Sequence, residues 1–102
     1  SKITMPKLYP KDMYYNRQGK EITLEEWSKL FSDRKYSQIK LTKVSDDIRV
    51  STIWLGMNHN FGEGEPLIFE TMVFGGKKDQ FQNRYATEEE ALKGHDGILK
   101  SL

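Results

Sequence analysis

The segment 47–76 constrains this chain more than any other, because it concentrates apolar and aromatic residues in a sequence that is otherwise polar. It divides into two apolar runs, 48–55 and 67–74, which are separated by the eleven residues 56–66. Each run has the length of a strand, whereas a hairpin connection usually takes about two to five residues. We therefore expect two core strands joined by a loop that is longer than the fold requires, and such loops are often functional.

Length and composition exclude several classes of protein. With 102 residues and no cysteine, the chain fits one domain with one modest core and has neither disulfides nor thiolate metal ligands. Sixteen basic and fifteen acidic residues nearly cancel, so we do not expect direct nucleic-acid binding. No apolar run reaches the roughly 18 residues that span a bilayer. We expect a cytoplasmic protein without a membrane partner, and we assign it no cofactor, catalytic residue or metal.

The N-terminal part is predicted to hold an arm followed by the start of a single domain. Residues 1–12 contain two of the three prolines and show no periodicity, which indicates an extended arm. The domain itself is predicted to cover 13–102. Its first segment, 13–22, contains Gly19, which suits the positive φ angle of a hairpin turn.

Two segments carry the capping-box pattern, in which a threonine and a glutamate three residues later satisfy backbone donors at the start of a helix. The pattern at Thr23 predicts a helix over 23–32, whose apolar residues recur at intervals of three and four. The pattern at Thr87 predicts a final helix over about 88–101. This helix contains two glycines, each of which costs about 0.8 to 1 kcal/mol relative to alanine, so we expect close packing there or a frayed end.

Four apolar or alternating runs predict the strands of the main sheet, namely 36–44, 48–55, 67–74 and 81–86. In the second run, Val50, Thr52 and Trp54 fall on one face, as in a strand with one buried side. The third run is almost continuously apolar, which predicts a central strand that is covered on both faces or packed against a partner. The fold class is therefore α+β, with a single antiparallel sheet of about four to five strands and two helices packed on it.

The long loop supplies the candidate binding residues. Gly62 and Gly64 permit backbone conformations that are closed to other residues, Pro66 stiffens the return, and asparagine can bond its own backbone. The sequence is thus as consistent with a shaped loop as with a floppy one. Phe61 either folds back onto the sheet or stays exposed as a contact residue. The candidate contact residues are Met57, Asn58, His59, Asn60, Phe61, Glu63 and Glu65.

A second hypothesis places a polar site around His59, Glu70 and His95. The two histidines are the only ones in the chain, and histidine titrates near neutral pH. A carboxylate could orient His59 as a general base, and the three residues together have the chemistry of a zinc site without its diagnostic spacing. In the structural interpretation, His59 bonds the loop backbone and His95 completes the helix face. Glu70 lies among apolar neighbours, so its charge requires a partner, and Arg49 or Arg84 could provide a structural ion pair.

Two segments carry a resemblance to a known family. They are WLGMNHNFGEGEPLIFETMVFGG over 54–76 and RYATEEEALKGH over 84–95. They resemble the pattern W-L-G-x-x-H-x-F-G-x-G-x-P-x-x-F-E-T-M-V-F, followed by R-Y-x-T-x-x-E-A-x-x-G-H, of an uncharacterised family of small proteins from bacteriophages, prophages and bacteria. That pattern includes both His59 and His95. The resemblance implies provenance, and the family brings no assigned activity.

Small phage accessory proteins commonly bind a host protein, so the resemblance implies a protein-binding module with the loop as its contact surface. Inhibition of a host defence system, such as a CRISPR effector, is one specific form of this function. One alternative is a small hydrolase or a metal- or ligand-binding protein that uses His59, Glu70 and His95. Another is a virion or assembly component that self-associates through the strand 67–74. The sequence leaves the partner and the oligomeric state open.

Overall fold

The computed structural model describes residues 13–60 and 62–102, so the predicted arm over 1–12 and Phe61 lie outside the described residues. The described chain is a small α+β fold with a two-stranded sheet, a four-stranded sheet and three helices. The predicted α+β class is confirmed. The finer prediction of one sheet and two helices is roughly consistent with the structure, in which the N-terminal hairpin forms a sheet of its own and a short extra helix precedes the main sheet.

The N-terminal elements are β1 (Tyr14–Tyr15), β2 (Glu21–Ile22), α1 (Leu24–Ser32) and α2 (Arg34–Ser37). The main sheet and the last helix follow as β3 (Gln38–Lys43), β4 (Arg49–Trp54), β5 (Phe69–Phe74), β6 (Gln82–Tyr85) and α3 (Glu88–Lys100). In the main sheet each strand pairs antiparallel with its neighbour in sequence. The predicted strand 36–44 begins later than expected, because its first two residues belong to α2.

Both predicted capping boxes are present. The Thr23 hydroxyl accepts the Glu26 N–H at 3.1 Å, and the Glu26 carboxylate accepts the Thr23 N–H at 3.0 Å. Thr87 and Glu90 repeat this arrangement at the start of α3. Each such cap stabilises its helix by about 1 kcal/mol. No helix in the described part of the chain is long and apolar enough to cross a membrane.

One face of the main sheet forms the core. The residues that point to this face in β4 and β5 are fully buried, namely Val50, Thr52, Trp54, Phe69, Thr71 and Val73. Helix α3 covers this face, since Ala91 belongs to the same buried cluster as Trp54 and Phe69. We call the other side the open face, and none of the strand residues described on it is buried. Strand β5 is thus central in the sheet, but within the described residues it is covered on one face only.

The N-terminal elements close the end of the core around Trp54. Its indole N–H donates to the Tyr15 carbonyl at 3.0 Å, and its ring meets the Tyr36 ring edge-on with centroids 4.9 Å apart. Trp27 donates its indole N–H to the Leu55 carbonyl at 2.8 Å. Buried aromatic N–H groups usually find such a partner. Trp27 therefore has a packing role, as its position on the apolar face of α1 predicts.

An ion pair joins the N-terminal hairpin to α3. Arg17 Nη2 lies 2.6 Å from Glu88 Oε2, and Arg17 Nε lies 2.8 Å from Glu88 Oε1, which makes the pair bidentate. The hydrogen bond from Arg17, more than any other factor, holds the pKa of the Glu88 carboxyl below its usual value. The Arg17 guanidinium also lies over the Tyr36 ring, 5.4 Å from its centroid.

Candidate functional site

The long loop leaves β4 through a position that only glycine fits. Gly56 has a φ of +72°, a conformation that glycine adopts without steric cost. A Cβ atom at this position would overlap the rings of Trp54 and Trp27. The Gly56 carbonyl accepts the Tyr15 N–H at 2.8 Å. The base of the loop is therefore part of the packed structure.

The next residues are also bound to the fold. Met57 forms an isolated β-bridge with Tyr14, and the Asn58 N–H donates to the Met13 carbonyl at 3.0 Å. The loop thus runs alongside the N-terminal hairpin for its first turn. These two predicted contact residues are only partly exposed.

Asn58 and His59 fasten the two sides of the loop together. The Asn58 side-chain oxygen accepts the N–H groups of Asn60 at 2.7 Å and Leu67 at 3.2 Å. The His59 N–H donates to the Leu67 carbonyl at 2.9 Å, and its Nδ1 donates to the Met57 carbonyl at 2.8 Å. His59 therefore hydrogen-bonds the loop backbone, as expected if its role is structural.

Asn60 shapes the tip. Its side-chain oxygen accepts the Gly62 N–H at 3.0 Å, while its amide nitrogen donates to the carbonyls of Glu63 at 3.2 Å and Glu65 at 2.8 Å. Residues 62–65 are exposed. The loop is consequently a shaped projection with an acidic tip. Such asparagine side-chain bonds to nearby backbone mimic turns and order the chain locally.

A wide cleft of about 620 Å³ lies beside this projection. Its walls come from the loop, from β6 and from α3, and they include Asn60, Glu65, Arg84, Tyr85, Glu90 and Lys93. Charges of both signs therefore line it. The cleft is lined by residues of both the segment 54–76 and the segment 84–95, a proximity that the sequence did not predict. The sequence pattern R-Y-x-T-x-x-E could have indicated the cleft, because its residues Arg84, Tyr85 and Glu90 line the wall opposite the loop.

Glu70 lies on the open face of the sheet, opposite Arg84 in the β5–β6 register. Arg84 Nε donates to Glu70 Oε2 at 3.1 Å. Of the two partners considered from sequence, Arg84 is the one that Glu70 contacts. The predicted apolar surroundings of Glu70 hold only in part, because Ile68 is buried whereas Met72 and Phe74 lie on the partly exposed side of the strand.

His95 belongs to α3 and lies on the other side of the sheet, fully buried between the helix and the strands. Its Nδ1 lies 2.7 Å from the Thr52 hydroxyl and its Nε2 lies 2.8 Å from the Thr42 hydroxyl. Thr52 contacts Thr71 in turn, with the two hydroxyl oxygens 2.5 Å apart. Burial lowers the pKa of His95, and the nearby Lys40 ammonium lowers it further, while Asp96 opposes this change. Sequence reasoning missed this network. Its signal was Thr52, a threonine that the strand pattern placed on the core face, whereas the pattern in 36–44 placed Thr42 on the side opposite the apolar residues.

The alternative polar site is not assembled. The sheet separates Glu70 from His95, and His59 is bonded within the loop. Within the described residues, no group of three or more histidines and acidic residues could hold a metal ion. His95 and Thr52 have no exposed surface, so a substrate cannot reach them. The virion or assembly hypothesis required self-association through the strand 67–74. Strand β5 lies between β4 and β6, so it has no free edge that could pair with a second copy.

Comparisons with protein families, with curated proteins and with solved structures give no match to this chain. The resemblance to small phage and prophage proteins therefore stays a prediction.

Proposed function

We propose that this chain is a small accessory protein that acts by binding another protein, with the loop 56–66 and the adjoining cleft as the contact surface. The observation that carries the proposal is the internal bracing of the loop. Asn58 and Asn60 hold an exposed turn in one shape, although the exposed residues of that turn contribute nothing to the core. A loop that is ordered before binding loses less conformational entropy when it binds.

The chemistry of this surface favours a polar interface. Glu63 and Glu65 project from the tip, and Arg84 and Lys93 lie across the cleft. A partner that matches it presents cationic side chains to the tip and polar backbone or acidic groups to the cleft. Electrostatic complementarity of this kind sets specificity and association rate, and it weakens as salt is raised.

The partner that we propose is a host protein, met in the host cytoplasm. The resemblance to phage and prophage proteins supports this choice, since such accessory proteins commonly act on host machinery. Inhibition of a defence effector, such as a CRISPR nuclease complex, is the specific form that we propose. Co-expression of the chain with an active interference system tests it, because an inhibitor raises the survival of targeted plasmid or phage.

Affinity capture from bacterial lysate tests the binding function and its surface together. The wild-type chain should retain a stoichiometric protein, and the double variant Glu63→Lys with Glu65→Lys should retain less than about a tenth of it, corresponding to roughly 1.4 kcal/mol. Phe61→Ala should weaken capture in the same direction. Glu21→Lys is the control, because it reverses an exposed glutamate on β2, outside the loop 56–66.

Two results would contradict the proposal in different ways. If the loop variants melt like the wild type and still capture the partner fully, the contact surface lies elsewhere. If no lysate, including one from phage-infected cells, yields a stoichiometric partner, protein binding is not the function.

A further inference from the structure

The open face of the main sheet carries an apolar patch, formed by Leu41, Met72 and Phe74 in two neighbouring cross-strand rows. Leu41 and Met72 flank Ser51 in the same cross-strand row, and Phe74 lies next to Arg49 in the adjacent row. Leu41 is 52% exposed and Phe74 is 36% exposed. Exposed apolar side chains that are grouped on one surface often mark a place of contact with another molecule.

The same face has more positive charge than its own acidic groups neutralise. Arg49 lies over the Phe74 ring, 5.1 Å from its centroid, and makes no ion pair with any described residue. Lys43 stands next to Arg49 in the β3–β4 register, and its contact with Asp46 is 3.7 Å long and exposed. Among the described strand residues of this face, Glu70 is the one acidic residue, and it already forms an ion pair with Arg84.

A depression at one end of the patch combines both properties. It has a volume of about 240 Å³ and is lined by Arg34, Ser37, Gln38 and Ile53. Ile53 supplies an apolar wall, while Arg34 supplies a cation that forms no ion pair within the described residues. An apolar side chain with a neighbouring carboxylate fits such a site.

We propose that the open face binds an amphipathic helix of a partner protein, with aspartate or glutamate residues flanking its apolar stripe. The sheet already packs a helix on its core face, and a second helix would complete a three-layer arrangement. A helix presents one apolar stripe with charges at its borders, which matches an apolar patch bordered by Arg49, Lys43 and Arg34. This inference rests on the proposed function but concerns a different surface.

Charge also discriminates against the other occupants. Two copies of this chain that met face to face would bring Arg49 and Lys43 near their own counterparts, and like charges across an interface are unfavourable. A single-stranded nucleic acid would stack its bases on aromatic rings, and the Arg49 guanidinium covers the one aromatic ring, Phe74, among the described strand residues of this face.

Site-specific photo-crosslinking tests the proposal in the full chain. A benzophenone amino acid in place of Ser51 probes the centre of the open face, and the same group in place of Glu63 probes the loop. After irradiation in bacterial lysate, the Ser51 probe should yield a peptide with helical apolar spacing and flanking acidic residues. Arg49→Glu should reduce this crosslink at least tenfold, whereas Lys20→Glu, an exposed reversal in the hairpin, should not change it.

The outcomes separate this inference from the proposed function. Crosslinks from Ser51 to the same chain, to nucleic acid or to a peptide without acidic residues would overturn the helix proposal. Crosslinks from the Glu63 probe alone would also overturn it and leave the proposed function standing. A failure of both probes would overturn the two together.

Discussion

His95 Nδ1 and Thr52 Oγ1 lie 2.7 Å apart in the middle of the core, between the last helix and the second strand of the main sheet. Through Thr42 and Thr71, the same imidazole is connected to the two flanking strands. Buried polar groups cost free energy unless they are hydrogen-bonded, and here both ring nitrogens have partners. Directional bonds, in addition to apolar packing, therefore fix the position of α3 on the sheet.

Removing one hydroxyl from this network should destabilise the fold. Thr52→Val keeps the side-chain shape but leaves His95 Nδ1 without its partner, and we expect a loss of about 1 to 3 kcal/mol in the free energy of unfolding. Urea denaturation measures it. Ser51→Val is the control, since its neighbouring position faces the open side, and it should show no such loss. Equal effects of the two variants would argue that the network contributes nothing.

Stability should fall as pH is lowered through the range in which histidine titrates. The pKa of folded His95 is below its usual 6.5, so the unfolded chain binds a proton more readily than the folded one. The stabilisation is complete above pH 6.5 and is lost as pH falls towards the folded pKa. Thermal melts between pH 7.5 and 5 measure the slope, which His95→Phe should flatten. The pKa of Glu88 is lowered from 4.5, so protonation of Glu88 reduces stability only at more acidic pH.

The two glycines of α3 should respond in opposite ways to alanine. A Cβ at Gly94 would overlap the Tyr85 hydroxyl, whereas nothing lies within 4 Å of a Cβ at Gly97. Gly94→Ala should therefore destabilise the protein by about 1 to 3 kcal/mol through overpacking. Gly97→Ala should stabilise it by up to about 1 kcal/mol through helix propensity. Denaturant midpoints that shift in the same direction would contradict this assignment.

The pair Arg17 and Glu88 should show measurable coupling. A double-mutant cycle with alanine should give about 0.5 to 1 kcal/mol, because the pair is bidentate but partly exposed, and the value should shrink in high salt. Lys93 and Glu89 provide the comparison, since they form an exposed pair 3.6 Å apart on α3. Their coupling should be smaller. If the coupling energy of Arg17 and Glu88 does not exceed that of Lys93 and Glu89, the ion pair does not help to hold the hairpin against α3.

Asn60→Ala should loosen the loop tip without unfolding the protein. The change removes the bonds to Gly62, Glu63 and Glu65, so amide exchange in 62–65 should accelerate, with partner capture weakened. Asn16→Ala removes similar bonds in the hairpin turn and serves as the control. Hydrogen exchange by mass spectrometry reports both. Unchanged exchange at the tip would show that its shape does not depend on Asn60.

Local patterns predicted the elements of this fold well. The capping boxes at Thr23 and Thr87 mark two helix starts correctly, because a cap depends on residues only three positions apart. The short helix α2 was missed. Asp33 both ends α1 and caps α2, and a four-residue helix has too few positions to show a period.

Residues that act across the chain were harder to predict. The sequence places Thr52 on the core face and His95 on the inner side of the last helix, but nothing in either segment specifies that they touch. The run 67–74 suggested cover on both sides, because its apolar residues continue onto the open face. Pairings of this kind depend on the registers of neighbouring strands, which no single segment encodes.

The order of the elements also bears on how the protein is made. All four strands of the main sheet precede α3, so the side of the sheet with Val50 and Phe69 lacks its covering helix during translation until α3 leaves the ribosome. Nascent chains with such exposed apolar surface are prone to aggregation and are natural clients of chaperones. Formation of α3, rather than completion of any strand, is therefore the step that covers this apolar surface.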